Sequence, residues 1–218
     1  FSGRSGAKYW IGVELIIVNG RKMSRSLHNA VTIADLQKEG FGGRDIRFFL
    51  LGMNYRKPIN YSVHAMQMAK NTIKKIDAFV HRLLVVNQEV PDNSDVDQMV
   101  YDLYHTVEKA LDDDLNIAGA LAALFDFIGK CNIPLAMGTL NRADARKMIK
   151  ALEKVNEIFG VMRFDEQELH NDINDLIKKR EEARKSGNWR EADLLRDRLS
   201  ESGVEISDSQ QGTIWRFK

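Results

Sequence analysis

The chain has 218 residues, more than a typical single domain of about 100–150, so two or three modules are expected. A hydrophobic share of 44% and a charged share of 29% are typical of a soluble globular protein and exclude a disordered chain. We expect neither an apolar run near the ~20 residues of a membrane span nor a secretory signal. A single cysteine, Cys131, excludes an internal disulfide, and together these features predict a cytoplasmic protein with Cys131 packed in a core.

The net charge of +1 is unevenly distributed along the chain. Residues 1–57 carry +6, residues 58–177 carry −7 and residues 178–218 carry +2. The two basic ends could both contact one anionic partner, or their charges could simply face water.

Residues 9–18 are apolar and rich in β-branched residues, which predicts a strand. Such a strand needs neighbours, and little else here could supply them, so the chain is expected to begin partway through a larger domain. Asn19-Gly20 predicts a tight turn after it. Thr32, followed three residues later by Asp35, predicts a capped helix start, and a short helix is expected at 44–53.

Four longer helices are predicted after Pro58 from apolar positions spaced three and four residues apart. Ser62 caps the first, a loop at 91–95 precedes the second, Asn116 caps the third and Asn141 caps the fourth. The third helix, at 118–131, is apolar nearly all round and is therefore expected to be central. Together the four predict an antiparallel helix bundle.

The last part of the chain predicts a small α+β module. One helix is expected to run to about Lys185, a second covers 189–200, and two short strands follow at 204–206 and 213–215. The predicted fold class is mainly α: a partial β-containing connective segment, a helix bundle and the α+β module. The predicted boundaries of these three domains are 1–57, 58–163 and 164–218.

A basic loop follows the predicted turn and contains Lys22-Met23-Ser24-Arg25-Ser26. Lysine and arginine supply positive charge, and serines supply hydroxyl groups and local backbone caps. This chemistry suits a polyphosphate whose charge must be held while it leaves. The alternative is a solvated basic loop, because short motifs also arise by chance.

This pentapeptide resembles the KMSKS signature of class I aminoacyl-tRNA synthetases, with Arg25 in place of the second lysine. Five further motifs resemble cysteinyl-tRNA synthetase in their order and spacing: RDIRFFLL at 44–51, NYRKPIN at 54–60, DDDLN at 112–116, ALAALFD at 120–126 and QGTIW at 211–215. The resemblance runs over residues 1–218 and corresponds to the C-terminal half of such an enzyme, from just after its zinc site.

The resemblance implies an ATP-dependent ligase that charges tRNA(Cys) with cysteine, using Mg²⁺ with the nucleotide. It implies that Lys22 contacts the β- and γ-phosphates of ATP as the catalytic lysine, with Arg25, Ser24 and Ser26 completing the ATP site; backbone capping is the alternative for the serines. The family's HIGH signature and zinc ligands have no counterpart here. The chain alone is therefore expected to bind no zinc or other metal and to be inactive, with cysteine bound only when the N-terminal half is present.

In the last module the resemblance places the anticodon-binding residues at Arg184, Asp193 and Asp208. An arginine fork or a carboxylate can contact the edge of an unstacked base. Trp189 offers a surface on which a base could stack. The alternatives are a surface ion pair for the charged residues and core packing for Trp189 and Trp215.

Two positions depart from the family pattern. Gly12 replaces a histidine, and His28 replaces a glycine directly after the basic loop, where a glycine would permit more backbone conformations. These departures fit an alternative function, a stand-alone non-catalytic tRNA-binding or regulatory module derived from the synthetase. No membrane partner is expected for either function. Lys22 and Arg25 oppose that alternative, because a pure binding module does not need a pyrophosphate loop.

Overall fold

The computed structural model describes residues 7–24, 26–201, 204–209 and 212–217. The first part of the chain contains three short strands: β1 (Ile16–Val18) and β2 (Arg21–Lys22), and β3 (Ile59–Tyr61) after two short helices. They form one sheet in the order β2-β1-β3, in which β1 is antiparallel to β2 and parallel to β3. The β1–β2 turn is the predicted Asn19-Gly20 pair, whose φ angles of 50° and 77° are those that a two-residue hairpin requires.

The strand predicted at 9–18 is too long. Only Ile16–Val18 is a strand, and the side chains before it are exposed, with Trp10 at 87%. The prediction also missed β3, which pairs in parallel with β1 over three residues. A three-residue strand shows too little alternation to be recognised from its own sequence, and it exists because β1 lies beside it.

Two short helices, α1 (Ile33–Lys38) and α2 (Gly43–Leu51), lie between β2 and β3. Thr32 and Asp35 form the predicted capping box of α1. On α2, Phe48 and Phe49 are buried in the same core as the helix bundle. The first segment of the chain therefore packs directly on the bundle.

The bundle contains α3 (Val63–Leu84), α4 (Val96–Asp112), α5 (Ile117–Met137) and α6 (Arg142–Phe159). The predicted caps are confirmed, because the Ser62, Asn116 and Asn141 side chains each accept a hydrogen bond from an amide in the first turn. Cys131 is fully buried, and this burial raises the pKa of its thiol to about 12. It is a core residue, as predicted.

Helix α5 is not central, contrary to the prediction. One face packs on α4 and into the core, while Phe125, Ile133 and Met137 are exposed, Ile133 at 64%. Its composition showed that every face was apolar but not how many faces would be covered. By length and mean hydropathy (1.4) α5 could also cross a membrane, which corrects the expectation that no run is long enough; it alone does so within the described residues. A single such helix is weak support for a membrane span, because core helices of soluble proteins pass the same test.

The C-terminal module consists of α7 (Glu166–Lys185), α8 (Trp189–Glu201), β4 (Val204–Ser209) and β5 (Gly212–Phe217). The two strands form an antiparallel hairpin in which Ile206 lies opposite Trp215. A second, smaller core lies under the hairpin and contains Ile173, Ile177, Leu199 and Val204. The predicted α+β arrangement is confirmed, with each strand longer than expected.

Arginines of the first segment bind the bundle at two places. Arg47 of α2 donates to the carbonyls of Ile158 and Phe159, at the end of α6, and Arg44 donates to the Val161 carbonyl at 2.7 Å. Gly160 adopts φ 63°, and a Cβ there would lie 2.9 Å from the Arg47 Nε. The end of α6 is therefore shaped to receive Arg47.

A second link joins two of the motifs that carry the family resemblance. Arg56 donates to both carboxylate oxygens of Asp114, at 2.6 and 2.7 Å, and the Tyr55 hydroxyl donates to Oδ1 at 2.6 Å. These donors, Arg56 first, lower the pKa of Asp114 to about 2. The NYRKPIN and DDDLN motifs thus meet in the fold.

Candidate functional site

Lys22 is the last residue of β2, and the part of the basic loop that the structure describes after it comprises Met23, Ser24 and residues 26–29. The Ser24 amide donates to Asn29 Oδ1 at 2.9 Å, and Asn29 Nδ2 donates to the Lys22 carbonyl at 3.0 Å. Asn29 therefore holds the two ends of the Lys22–Ser24 stretch together. The sequence prediction missed Asn29, although an asparagine after a basic turn is a common signal of a side chain that bonds nearby backbone.

The side chains of the basic loop are largely open to solvent. Lys22 is exposed, and no hydrogen bond or ion pair joins its ammonium to another described residue. Ser24 Oγ lies 3.2 Å from Ser26 Oγ and accepts from the Leu27 amide at 3.3 Å, so Ser24 caps the loop backbone. Lys22, Ser24 and Ser26 thus share one short loop, and this donor set suits a polyphosphate. Arg25, the fourth predicted residue, lies outside the described residues.

His28 lies at a backbone position that favours glycine. Its φ of 49° is in the left-handed region, which costs an L-residue roughly 1 kcal/mol. This is the position where the resemblance led us to expect a glycine. His28 therefore adopts a backbone conformation that is unfavourable for a histidine.

In the C-terminal module the Asp208 carboxylate is the centre of a hydrogen-bond network. Arg180 donates to both of its oxygens, at 2.8 Å each, and Arg184 Nη1 approaches Oδ2 at 2.8 Å. The Thr213 hydroxyl donates to Oδ1 at 3.0 Å. Oδ1 therefore has two hydrogen-bond donors, and Oδ2 has one donor, Arg180, together with the ion-pair contact to Arg184.

Burial divides this network into a hidden and an accessible part. The Arg180 side chain is 7% exposed, whereas those of Arg184 and Asp208 are 38% and 40% exposed. The hydrogen bonds from Arg180, followed by that from Thr213, hold the pKa of Asp208 well below its usual range. The carboxylate is therefore ionised wherever the module is folded near neutral pH.

Three of the four residues predicted to contact an anticodon lie on or beside this network. Arg184 and Asp208 pair with each other, and Asp193 is exposed on α8 and acts electrostatically on Arg180. Trp189, at the start of α8, is 62% exposed and does not belong to the small core. Trp215 packs against that core, and its Nε1 donates to Asn174 Oδ1 at 3.1 Å.

The sequence prediction did not identify Arg180 as a buried residue. Within the basic run Lys178-Lys179-Arg180 the two lysines are exposed and the arginine is buried. Ile173, Ile177 and Arg180 are spaced four and three residues apart, which places the arginine on the buried face of α7. This helical spacing was the feature of the sequence from which the burial of Arg180 could have been predicted. The ion pair considered as the alternative role for Arg184 is present, with Asp208 as the partner.

No group of three or more His, Cys, Asp or Glu side chains that could hold a metal ion occurs among the described residues.

Three family models match successive parts of the chain. The class I (C) tRNA synthetase catalytic domain matches residues 1–71, the DALR domain matches 106–163, and the cysteinyl-tRNA ligase anticodon binding domain matches 166–216. These matches place the chain among the class I aminoacyl-tRNA synthetases.

Comparison with curated relatives narrows the assignment from this class to one family within it. A cysteine–tRNA ligase of Chlamydia felis is 36% identical over 208 residues, which cover 94% of this chain and 44% of the relative. That of Brevibacillus brevis is 34% identical over 100% of this chain and 48% of the relative, and that of Protochlamydia amoebophila is 33% identical over 97% and 45%. The chain belongs to the cysteinyl-tRNA synthetase family, matches its C-terminal part and spans about half the length of these relatives.

Proposed function

We propose that this chain is the tRNA-binding and nucleotide-loop portion of a cysteine–tRNA ligase. The observation that carries the proposal is the coincidence of the anticodon-binding match at 166–216 with the Arg180–Asp208–Arg184 network and the exposed Trp189. The whole enzyme would use ATP to attach cysteine to tRNA(Cys) during translation in the cytoplasm. Its parts would be a catalytic-domain end at 1–57, the bundle at 58–163 and the anticodon-binding module at 164–218.

Lys22 is the proposed catalytic residue of the basic loop. Its ammonium would stabilise negative charge on the pyrophosphate that leaves ATP as cysteine is activated, with Arg25 and the hydroxyls of Ser24 and Ser26 beside it. An exposed lysine at the end of a short edge strand, whose ammonium bonds no other described residue, can reorient with a departing group. Mg²⁺ would enter bound to the nucleotide, and no role for zinc is assigned to this chain.

The proposed anticodon contacts are Arg184, Asp193 and Asp208, with Trp189 as a stacking surface. Charged side chains supply hydrogen bonds to base edges, and an exposed indole ring stacks on any base. Lys178 and Lys179 lie on the exposed side of α7, where they would neutralise phosphates without regard to sequence. Affinity and specificity would therefore come from different residues.

The proposal is tested by binding this chain to tRNA(Cys) and to a copy with an exchanged anticodon, at one fixed salt concentration. Wild-type protein should prefer tRNA(Cys), and Arg184→Ala should cost roughly 1–3 kcal/mol of binding to tRNA(Cys) alone. Lys178→Ala is the matched control and should weaken both RNAs equally while flattening the salt dependence. Equal binding of both RNAs by wild-type protein would show that the module is a general RNA-binding surface.

A separate assay addresses catalysis. Because the proposal assigns cysteine binding to a part of the enzyme that this chain does not span, the 218-residue protein should show no cysteine-dependent ATP–pyrophosphate exchange above background. Measurable exchange would contradict this assignment and leave the anticodon proposal intact.

A further inference from the structure

We propose that Arg180 is a positioning residue for anticodon discrimination: it locks the Asp208 carboxylate and thereby fixes the direction in which Arg184 presents its guanidinium. This inference rests on the proposed function. It assigns a role to a buried residue that makes no contact with RNA.

The geometry of the Arg180–Asp208 pair leaves the carboxylate one orientation. Two parallel bonds of 2.8 Å run from the two terminal nitrogens of Arg180 to the two oxygens of Asp208, so rotating the carboxylate breaks both. Thr213 adds a donor to Oδ1, and Arg180 Nη1 also approaches the Thr213 hydroxyl at 3.3 Å. The side chain of Arg180 is itself held, because it is 7% exposed under the β4–β5 hairpin.

Because the Asp208 carboxylate is held in one orientation, it limits the orientations that the Arg184 guanidinium can adopt. Arg184 uses Nη1 to reach Oδ2 at 2.8 Å, and more than a third of its side chain remains exposed. Its planar group therefore points outward in a defined direction, suited to a base edge that presents hydrogen-bond acceptors. In this scheme Asp208 supports Arg184 in addition to its proposed contact with a base, since its side chain is 40% exposed.

The Arg180→Lys variant separates the positioning role of Arg180 from the effect of its charge. It keeps the positive charge beside Asp208 but offers a point charge instead of a rigid fork, so the carboxylate can rotate and Arg184 loses its fixed direction. A purely structural role would instead lower the stability of the module and leave discrimination unchanged in the folded protein.

The experiment uses the 218-residue chain and measures its affinity for tRNA(Cys) and for the anticodon-exchanged copy, well below the unfolding midpoint of each variant. Arg180→Lys should reduce the ratio of the two affinities about tenfold, by analogy with the loss of one base contact, while affinity for the exchanged copy and the salt dependence stay unchanged. Arg196→Lys, the same substitution at an exposed position of α8, is the control and should leave the ratio unchanged.

Two further variants keep the inference testable if Arg180→Lys unfolds the module. Thr213→Val removes one donor from Oδ1 and should reduce the ratio about two- to threefold, since both bonds from Arg180 to the carboxylate remain. Asp208→Asn should reduce it at least as much as Arg180→Lys, and the double variant should be no worse than Asp208→Asn alone, because both act through one network.

The outcomes distinguish the two proposals. If wild-type protein does not discriminate between the RNAs, the proposed function fails. If it discriminates and Arg180→Lys, or in its absence Thr213→Val, keeps the full ratio, Arg180 is only a structural residue and this inference is wrong, whatever the change in unfolding midpoint.

Discussion

The basic loop and the Asp208 network hold their charged groups in opposite ways. Lys22 ends strand β2, its carbonyl accepts a hydrogen bond from Asn29, and its ammonium has no partner among the described residues. Arg184, in contrast, is paired with a carboxylate that a buried arginine already holds. The same chain thus contains one charge that is free to move and one that is fixed.

The difference follows from what each proposed task requires. A group that accompanies a leaving pyrophosphate must follow charge as it moves, so a mobile side chain on a braced backbone suits it. A group that distinguishes one base from another must hold its direction before the base arrives, since ordering it during binding would reduce the gain in affinity. The two regions therefore differ in preorganisation.

The largest expected effect concerns the mobile charge. In a longer cysteine–tRNA ligase that contains this segment, Lys22→Ala should slow cysteinyl-adenylate formation on the order of 100-fold, because the lost contact acts mainly in the transition state. Binding of tRNA and the unfolding midpoint should not change, since the Lys22 side chain bonds no other described residue. Lys38→Ala, an exposed lysine on α1, is the control in the pyrophosphate-exchange assay. Equal losses of activation and tRNA affinity would show that Lys22 is an ordinary basic contact.

A substitution in the Asp208 network should instead lower the stability of the C-terminal module. Asp208→Ala leaves Arg180 buried without its carboxylate and should lower the free energy of unfolding of the C-terminal module by about 2 kcal/mol. Asp193→Ala, which removes an exposed carboxylate of α8, should change it by less than about 0.5 kcal/mol. Denaturant unfolding of the 218-residue chain measures both. A similar loss of unfolding free energy in both variants would show that Asp208 is held no more firmly than an exposed carboxylate, which would contradict the contrast between the Asp208 network and the basic loop.

A smaller effect is expected in acid. Because the pKa of Asp208 is lower in the folded chain than in the unfolded one, its ion pair contributes stability above the unfolded pKa of about 3.9, and this contribution declines as the pH falls below that value. The difference in unfolding midpoint between wild type and Asp208→Asn should therefore be constant from pH 5 to 7 and shrink below about pH 4. A difference that grew on acidification would contradict the network. Asp193→Asn is the matched variant for this series.

The smallest effect concerns His28. Glycine relieves the left-handed φ of 49° but adds entropy to the unfolded chain, so His28→Gly should stabilise the chain by about 0.5 kcal/mol net. Leu27→Gly, one residue earlier and without a positive φ, should destabilise it instead. Thermal unfolding of the two variants compares them directly. Destabilisation by both would show that His28 makes a contact worth more than its strain.

Much of the helical fold was predictable because its signals are local. Each helix cap at Thr32, Ser62, Asn116 and Asn141 depends on a short polar side chain and an amide two or three residues later. The strand β3 was missed because its pairing with β1 joins residues about 40 positions apart. The exposed face of α5 was missed because composition shows what a face is made of and not what covers it.

The candidate sites were predictable only as residue types in familiar motifs. The resemblance indicated Lys22, Arg184 and Asp208, but not that the last two pair with each other. The contact between Arg180 and Asp208 joins residues 28 positions apart and depends on how the hairpin lies on α7. Tertiary packing of this kind leaves only a weak periodic signal in one sequence, here the buried face of α7.

The contact between Arg47 and the end of α6 has a consequence for how the chain folds during synthesis. Arg47 bonds the Phe159 carbonyl, 112 residues later, so α2 has no such partner until α6 exists. At translation rates of about 5–20 residues per second, this delay is roughly 6–22 s. Phe48 and Phe49 can be covered earlier, because α2 packs mainly on α3, which follows it closely in the chain. The α2 segment is thus made before α6 and gains the Arg47 contact only when α6 is complete.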